Sequence, residues 1–295
     1  DGVDSKSGLP VVSLYGKSKE PQAKDLEDID VILFDIQDVG VRFYTYISSL
    51  HYIMQAAAKH GKEVIVLDRP NPNGHLVDGP ILDNRHKSFV GMHPVPVLHG
   101  LSIGEYGLMI NGEKWLDNAA ICSLTVVPCK NYRRTKEYKL PVKPSPNLPN
   151  QQSIYLYPHL CFFEGTHVSV GRGTDFPFQV FGAPFFSDTL FSFTPKSTSG
   201  ASNPPYLNQT CYGKDLRNFP ARELDGLSLE WLIWAYEQRG NKKEFFNSFF
   251  RLLAGGTELQ EQIEQGLSEE EIKNSWKAGL ADFNEKRKKY LLYPN

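Results

Sequence analysis

The sequence predicts an α/β protein: a Rossmann-like layer of parallel strands, followed by a second, mixed α+β domain that ends in helices. Three observations predict this class. Short apolar segments alternate with amphipathic helical segments in the first half, a proline-rich segment interrupts the middle, and helical periodicity dominates the last quarter. We expect the Rossmann-like domain over residues 1–140 and the second domain over residues 141–295.

The first strand–helix–strand unit lies within residues 29–67. Ile29–Phe34 is apolar apart from Asp30 and rich in β-branched residues, which suits a buried strand. Tyr46–Lys59 has apolar residues at helical spacing, and Gly61 supplies a residue suited to ending the helix. Val64–Leu67 is the next apolar strand. Because such units have a right-handed crossover, the two strands should be parallel.

The layer continues with two further strand candidates, Val95–Leu98 and Leu124–Val127, and a helix between them near Ser102–Asn111. Ser102 and Glu105 have the spacing of a capping box, in which each side chain bonds the backbone N–H of the other residue. We therefore expect Glu105 to help start this helix.

The second domain begins after residues 141–150, PVKPSPNLPN, whose four prolines exclude regular structure. A helix from about Gln151 to Phe163 is followed by a glycine-rich loop and a strand-like segment, FQVFGAP. Thr257 with Gln260 and Ser268 with Glu271 have capping-box spacing. The C-terminal quarter is expected to form four helices, at Ser228–Arg239, Lys243–Leu253, Thr257–Gln265 and Ser268–Tyr290.

Composition and motifs exclude several function classes. The chain has 32 basic and 34 acidic residues, a net charge of −2, which argues against nucleic acid as a partner. No apolar run approaches the roughly 18 residues of a membrane span. Dinucleotide, Walker, HExxH and GxSxG motifs are missing, so we expect neither a cofactor nor a metal. Four cysteines match no zinc pattern and are expected to be free thiols: Cys122, Cys129, Cys161 and Cys211.

The loops that follow the first two strands are candidate ligand-binding loops, because ligands of open α/β sheets bind beyond the carboxyl ends of strands. Each loop places an arginine near an aspartate. One interpretation is an aspartate that caps a turn and pairs with its arginine; the other is that both loops line a shared cleft. The polar residues concerned are Asp35, Asp38, Arg42, Tyr44 and Thr45 in the first loop, and Asp68, Arg69 and Asn71 in the second.

A third candidate group is Glu164-Gly-Thr166 followed by Gly171-Arg172-Gly173. The flanking glycines permit a close approach to a ligand, and a guanidinium offers a planar fork for a carboxylate. Glu164 follows apolar residues, a setting that favours the protonated acid needed for general-acid catalysis. The alternative is that Glu164 and Arg172 form a structural ion pair.

Seven segments along nearly the whole chain carry a resemblance to one family. They are VILFDIQDVGVRFYTYI, VLDRPNPNG, DGPILD, HGLSIGEYG, PSPNLP, EGTHVSVGRGTDFPF and SWKAGLADFNEKRKKYLLYPN. These segments resemble the NamZ-type exo-β-N-acetylmuramidases, glycoside hydrolase family 171, long catalogued as a domain of unknown function. The resemblance implies an exo-acting hydrolase that releases N-acetylmuramic acid from the non-reducing ends of peptidoglycan fragments. It also implies a Rossmann-like domain and a second domain that meet at an active-site cleft.

The sequence departs from the family pattern in two places. Family members carry an upstream Gly-Pro-Glu-His-Gly type segment whose glutamate is proposed as catalytic, and this chain begins after that point. We therefore expect the Rossmann-like domain to be N-terminally incomplete. If the chain is shortened in this way, we expect the chain to be inactive. Many members read Ser-Glu-Gly-Arg-Gly-Thr where this chain has Val170 before Gly171. Either a carboxylate is not required there, or this protein handles its substrate differently.

The substrate that the resemblance implies assigns roles to the candidate residues. We expect Glu164 to be the acid/base, with Asp35 or Asp38 as the auxiliary carboxylate. The lactyl carboxylate calls for an arginine fork, which Arg172 and Arg42 would supply. The chemistry leaves retaining, inverting and substrate-assisted mechanisms open. The remaining expected substrate-binding residues are Tyr44, Thr45, Asp68, Arg69, Asn71, His99, Asn147 and Thr166.

Two further expectations follow from this interpretation. The alternative function is a non-catalytic binder of muramic-acid-containing glycans. Because peptidoglycan lies outside the cytoplasm, we expect a periplasmic or secreted protein whose targeting segment is not present in this chain. All of these roles require that Asp35, Arg42 and Arg172 converge on one hollow.

Overall fold

The computed structural model describes residues 2–14, 16 and 18–294. A short antiparallel hairpin begins the described chain, formed by β1 (Gly2–Val3) and β2 (Pro10–Val11). Among the described residues, no helix is both long and apolar enough to cross a membrane.

The expected parallel layer is a three-stranded sheet of β3 (Val31–Phe34), β4 (Glu63–Leu67) and β5 (Ser123–Val127), in that order. Both strand pairs are parallel, which confirms the predicted α/β class. The expected strand at Val95–Leu98 is wrong. Leu98 forms only isolated antiparallel bridges, with Val41 on one side and Asp78 on the other, because this segment is held between two loops.

Two helices cover one face of this sheet, α1 (Tyr46–His60) and α2 (Ile103–Gly112). They bury Phe34, Val64 and Val66 in a shared apolar cluster. Gly61 ends α1 in the left-handed conformation, with φ of 64°, as the sequence predicts. The capping box of Ser102 and Glu105 is also present. The opposite face of the sheet is open: Leu33 is 63% exposed and Val127 47%.

The second half starts with α3 (Gln151–Leu160), which continues into a 3₁₀ turn at Cys161–Gly165. An antiparallel sheet follows, built from β6 (Val180–Ala183), β7 (Ser192–Phe193) and β8 (Cys211–Asp215) in the order β6–β8–β7. Residues 141–150 contain neither a helix nor a strand, in agreement with their prolines.

The C-terminal helices are α4 (Glu230–Glu237), α5 (Phe250–Ala254), α6 (Glu258–Glu264) and α7 (Glu269–Arg287). The expected helix at Lys243–Leu253 is wrong. Its middle pairs with the segment after α3 instead: His167 donates to the Phe245 carbonyl and Asn247 to the Gly165 carbonyl. This arrangement buries Phe245 in the core.

A single large core joins the two halves of the chain. Val41 and Phe43, from the loop after β3, belong to the same buried cluster as Phe162, Phe178 and Phe250 from the second half. The phenyl ring of Phe43 packs edge-on against that of Phe162 at 5.5 Å between centroids. The loop after β3 is therefore held directly against α3 and the 3₁₀ turn, which is what positions the candidate site.

Of the two capping boxes expected at the last two helices, the one at α7 is present and the one at α6 is not. Ser268 caps α7 by accepting from the Glu271 N–H, whereas the Thr257 side chain makes no cap hydrogen bond to α6. We expect Ser268→Ala to lower the free energy of unfolding by about 1 kcal/mol. Thr257→Ala is the matched control and should cost less than half as much; urea unfolding of both variants measures this. Equal losses would contradict the difference in capping.

Candidate active site

The expected site residues lie in four different settings, and the first is an ion pair at the carboxyl edge of the parallel sheet. Asp35 follows β3 and Arg69 follows β4. The Arg69 Nε donates to Asp35 Oδ1 at 2.8 Å, and an Nη atom lies 2.6 Å from the same oxygen. Both side chains are more than a third exposed, at 47% for Asp35 and 39% for Arg69. This pair therefore joins the two loops to each other, and does not link an aspartate to the arginine of its own loop.

Asp38 is the second setting, a buried carboxyl group. It is 5% exposed, and its Oδ2 accepts from the Gly40 N–H at 2.7 Å. The Oδ1 atom is buried and has no hydrogen-bond partner among the described residues. Burial raises the pKa of Asp38 to about 7. The raised pKa favours the protonated form of this carboxyl group.

The raised pKa of Asp38 predicts an unusual dependence of stability on pH. The folded state keeps the Asp38 proton between about pH 4 and pH 7, whereas the unfolded chain, in which this carboxyl group has the ordinary aspartate pKa of 3.8, releases it. The unfolding free energy should therefore fall as pH rises through this window. The Asp38→Asn variant lacks this carboxyl group. Over the same window its unfolding free energy should therefore fall by up to about 4 kcal/mol less than that of the wild type. Urea unfolding of the wild type and both variants at pH 4.5 and pH 8 measures this difference, and Asp28→Asn, at an exposed position, is the control. The same pH dependence in Asp38→Asn and in the wild type would contradict the prediction.

The third setting is structural, and it includes Arg42, which the sequence interpretation assigned to the lactyl group. Arg42 is fully buried. Its Nη atoms donate to four backbone carbonyls at 2.6–2.9 Å, those of Pro80, Val95, Leu253 and Ala254. Burial lowers the pKa of this guanidinium to about 9. Arg42 thus joins the loop after β3 to α5 and lines neither of the two cavities described below.

Three other expected substrate-binding residues also make structural hydrogen bonds. Asp68 holds the start of α2, accepting from the Gly104 N–H at 2.8 Å and from the Ser102 hydroxyl at 2.6 Å. The buried Asn71 donates to the Leu101 carbonyl at 2.9 Å. His99 is fully buried and its Nδ1 accepts from the Leu101 N–H. Burial lowers the pKa of His99 to about 3, so this imidazole is neutral.

The fourth setting consists of two cavities, and the larger contains Tyr44 and Thr45. This Tyr44 cavity has a volume of about 610 Å³ and lies between the loop after β3 and residues 144–146. The Tyr44 hydroxyl donates to the Pro144 carbonyl at 2.9 Å. Asn147 lies just beyond the lining and donates to the Gly200 carbonyl. Much of the lining was not predicted from the sequence, namely Lys19, Tyr46, Phe89, Pro144 and Pro146.

The smaller cavity holds three of the expected residues together. This Glu164 cavity, of about 310 Å³, is lined by Glu164, Thr166 and Arg172 and otherwise by apolar side chains. The Arg172 Nε donates to Glu164 Oε1 at 2.6 Å, and both side chains remain about a quarter exposed. Val170 also lines the wall, at the position where many family members have glutamate. The two interpretations of Glu164 and Arg172 are thus compatible: they form an ion pair, and that pair faces a cavity.

Glycine is needed next to Arg172 because of a positive φ and a close contact with the protein's own backbone, and not because of a contact with a ligand. Gly173 has φ of 81°, and a Cβ atom there would lie 2.4 Å from the Lys196 carbonyl oxygen. The Arg172 guanidinium lies over the Phe178 ring, 5.1 Å from its centroid. The close backbone contact and the aromatic ring together fix the direction of the arginine.

Two buried residues on α3 and its 3₁₀ turn hold the other side of Glu164. The Cys161 thiol lies 3.7 Å from Glu164 Oε2 and can donate to it. Burial raises the pKa of Cys161 well above its usual range, so the thiol stays protonated. Tyr157 is also buried and hydrogen-bonds Cys161. Cys161 was expected only to be a free thiol, although positions 157, 161 and 164 have the spacing of one helix face.

An aromatic row connects the two cavities. The Tyr44 ring packs edge-on against Tyr157 at 5.7 Å, and Tyr157 packs against Phe178 at 4.9 Å. Phe178 in turn supports Arg172. Of Asp35, Arg42 and Arg172, which were expected to share one hollow, Arg172 lines the Glu164 cavity, and Asp35 and Arg42 line neither this cavity nor the Tyr44 cavity.

The comparisons with known proteins decide the family. The family described as "Exo-beta-N-acetylmuramidase NamZ, N-terminal" matches residues 1–152, and its C-terminal counterpart matches residues 155–293. The chain belongs to the NamZ family. This confirms the resemblance found in the sequence motifs. The peptidoglycan beta-N-acetylmuramidase NamZ of Bacillus subtilis (strain 168) is 39% identical to it, over 99% of this chain and 74% of that protein.

Solved structures agree with this membership of the NamZ family. A DUF1343 family protein from Bacteroides fragilis NCTC 9343 superposes with a TM-score of 0.95 at 48% identity, over 100% of this chain and 83% of that chain. A second DUF1343 family protein from the same organism gives a TM-score of 0.86 at 30% identity, over 99% of this chain and 82% of that chain.

The two NamZ family regions each contribute one cavity. All residues that line the Tyr44 cavity fall within the N-terminal region, and all residues that line the Glu164 cavity fall within the C-terminal region. The packing of Tyr44 against Tyr157 is a contact between the two regions. The candidate active site of this NamZ family member is therefore the pair of cavities on either side of that contact.

Proposed function

We propose that this protein is a glycoside hydrolase that releases N-acetylmuramic acid from the non-reducing ends of peptidoglycan fragments. The observation that carries the proposal is the similarity, over nearly the whole chain, to a Bacillus subtilis protein named as a peptidoglycan β-N-acetylmuramidase. The Glu164 cavity supports it, because a carboxylate and a guanidinium lie side by side at its surface.

The two charged groups would act on different parts of the sugar. Glu164 is the acid/base candidate that acts on the glycosidic oxygen. Arg172 uses only its Nε for Glu164 and, among the described residues, has no hydrogen-bond partner at its Nη atoms. Those two atoms form the fork that would bind the lactyl carboxylate of muramic acid. Glu164 and the lactyl group are thereby held on the same arginine.

The auxiliary roles follow from the other expected residues. The auxiliary carboxylate is Asp35 or Asp38: Asp35 is exposed and paired with Arg69, and Asp38 is buried with one oxygen that has no hydrogen-bond partner among the described residues. The Tyr44 cavity offers aromatic faces on which the neighbouring sugar can stack.

The test is an assay of a full-length version of the protein on a chromogenic β-glycoside of N-acetylmuramic acid, combined with calorimetric binding of the free sugar. We expect release of the chromophore, and much slower release from the matching N-acetylglucosamine glycoside, which lacks the lactyl group. Binding without release would instead support the alternative of a non-catalytic binder. Neither binding nor release would overturn the proposal.

We also propose that the protein acts in the periplasm or outside the cell, because its proposed substrate lies outside the cytoplasm. Fractionation of the source cells, with immunodetection of this chain beside a cytoplasmic marker, tests this. Recovery of the chain together with the marker would overturn it.

A further inference from the structure

The loop after β5 concentrates positive charge that the proposed reaction does not use. The whole chain carries a net charge of −2, yet residues 130–139 hold five basic residues and a single acidic one, Glu137. The basic residues are Lys130, Arg133, Arg134, Lys136 and Lys139.

One of these cations anchors the loop. Arg134 is buried, forms an ion pair with the equally buried Glu105, and donates to the Gly100 carbonyl at 2.6 Å. The Tyr132 hydroxyl donates to the Asn71 carbonyl at 3.1 Å and accepts from the Asn71 N–H. The Tyr132 ring also packs against Tyr293. These buried contacts hold the loop in place, and its other cations remain at the surface.

Three of the surface cations line one pocket. Lys130, Arg133 and Lys136, together with Pro70 and Tyr138, surround a cavity of about 230 Å³, which we call the basic pocket. Its one acidic residue is Glu137, whose carboxylate accepts a hydrogen bond from a tyrosine hydroxyl of α3 at 3.2 Å. Among the described residues, no carboxylate lies within 4.0 Å of the three cations.

The basic pocket lies where a ligand of this fold is expected. It follows the carboxyl end of β5, at the same sheet edge as the Asp35–Arg69 pair, and Pro70 joins the two. Ligands of open parallel sheets bind beyond this edge. Three like charges around one small pocket repel one another, and an anion bound between them would remove that repulsion.

We propose that the basic pocket binds a carboxylate on the part of the peptidoglycan fragment that remains after N-acetylmuramic acid is released. The inference rests on the proposed function and names a specificity feature of it. The carboxylate has two possible sources: the lactyl group of the next muramic acid, or the acidic groups of the stem peptide. The tyrosines of the pocket supply flat surfaces beside the cations, which suits either source.

The test compares Lys130→Gln/Lys136→Gln with the control Lys277→Gln/Lys289→Gln, which removes the same charge from the exposed surface of the C-terminal helical region. The substrates are the chromogenic monosaccharide, a peptide-free peptidoglycan tetrasaccharide, and the same tetrasaccharide with a stem peptide on its internal muramic acid only, so that the terminal lactyl carboxylate stays free. We expect the pocket variant to raise KM about fivefold for acidic oligosaccharides only, with kcat unchanged. The effect should shrink in 0.5 M NaCl.

The pattern of the effect identifies the source of the carboxylate. A higher KM for the peptide-free tetrasaccharide assigns the lactyl group, and an effect confined to the peptide-bearing substrate assigns the stem peptide. Unchanged KM for both oligosaccharides, or equal effects in the control variant, would overturn the proposal.

The outcome remains decisive if the proposed function fails. If the wild type releases no sugar from any substrate, the hydrolase assignment is wrong, and the same variants are compared by calorimetric Kd for both oligosaccharides. A Kd raised only in the pocket variant supports the basic pocket. Equal values, or no binding by the wild type, overturn it.

Discussion

Replacing Glu164 with glutamine is expected to lower kcat for release of N-acetylmuramic acid by about 10³-fold and to change KM little. The substitution removes the proton-transfer group, which typically contributes about 10²–10⁴-fold. It keeps the size of the side chain and an oxygen that can accept from the Arg172 Nε, which lies 2.6 Å from Glu164 Oε1. The arginine, and with it the binding of the lactyl group, should therefore stay in place.

The measurement is steady-state kinetics on the chromogenic glycoside, with thermal unfolding to show that the variant is folded. Glu237→Gln is the matched control, because Glu237 is exposed at the end of α4 and lines neither cavity. Full activity of Glu164→Gln would remove this residue from the mechanism. A raised KM with unchanged kcat would show that Glu164 only positions Arg172.

The elements that could be predicted from the sequence are those fixed by local signals. The three strands of the parallel sheet are short, β-branched apolar runs, and the residues that end α1 and begin α7 are a glycine and a capping serine. Such signals act within a few residues of the element that they define. The prolines of residues 141–150 likewise exclude regular structure without help from distant contacts.

The elements that could not be predicted depend on contacts between distant parts of the chain. Arg42 and Arg172 both look like free guanidinium groups near an acidic residue, yet carbonyls more than 200 residues away bind the first. The expected helix at Lys243–Leu253 fails because its phenylalanines pack against the turn after α3. Cys161 gains its place beside Glu164 only once α3 is formed.

Replacing Arg42 with methionine is expected to lower the free energy of unfolding by about 4 kcal/mol. The guanidinium donates to the carbonyls of Pro80, Val95, Leu253 and Ala254, and the methionine side chain fills a similar space without a donor. Each buried carbonyl that loses its partner costs about 1–3 kcal/mol, partly offset where water enters. Burial lowers the pKa of Arg42 to about 9, which means that the buried charge is itself unfavourable. Removing that charge therefore offsets part of the loss in unfolding free energy.

Urea unfolding of Arg42→Met beside Arg251→Met separates this effect from the general loss of a positive charge. Arg251 is exposed on α5, the same helix that Arg42 contacts, so its replacement should change the free energy by less than about 0.5 kcal/mol. The folded fraction of Arg42→Met should keep the KM of the wild type, because Arg42 lines neither cavity. The reverse result, a raised KM with unchanged stability, would return Arg42 to the lactyl-binding role that the sequence suggests and would contradict its role as a buried tie between the loop after β3 and α5.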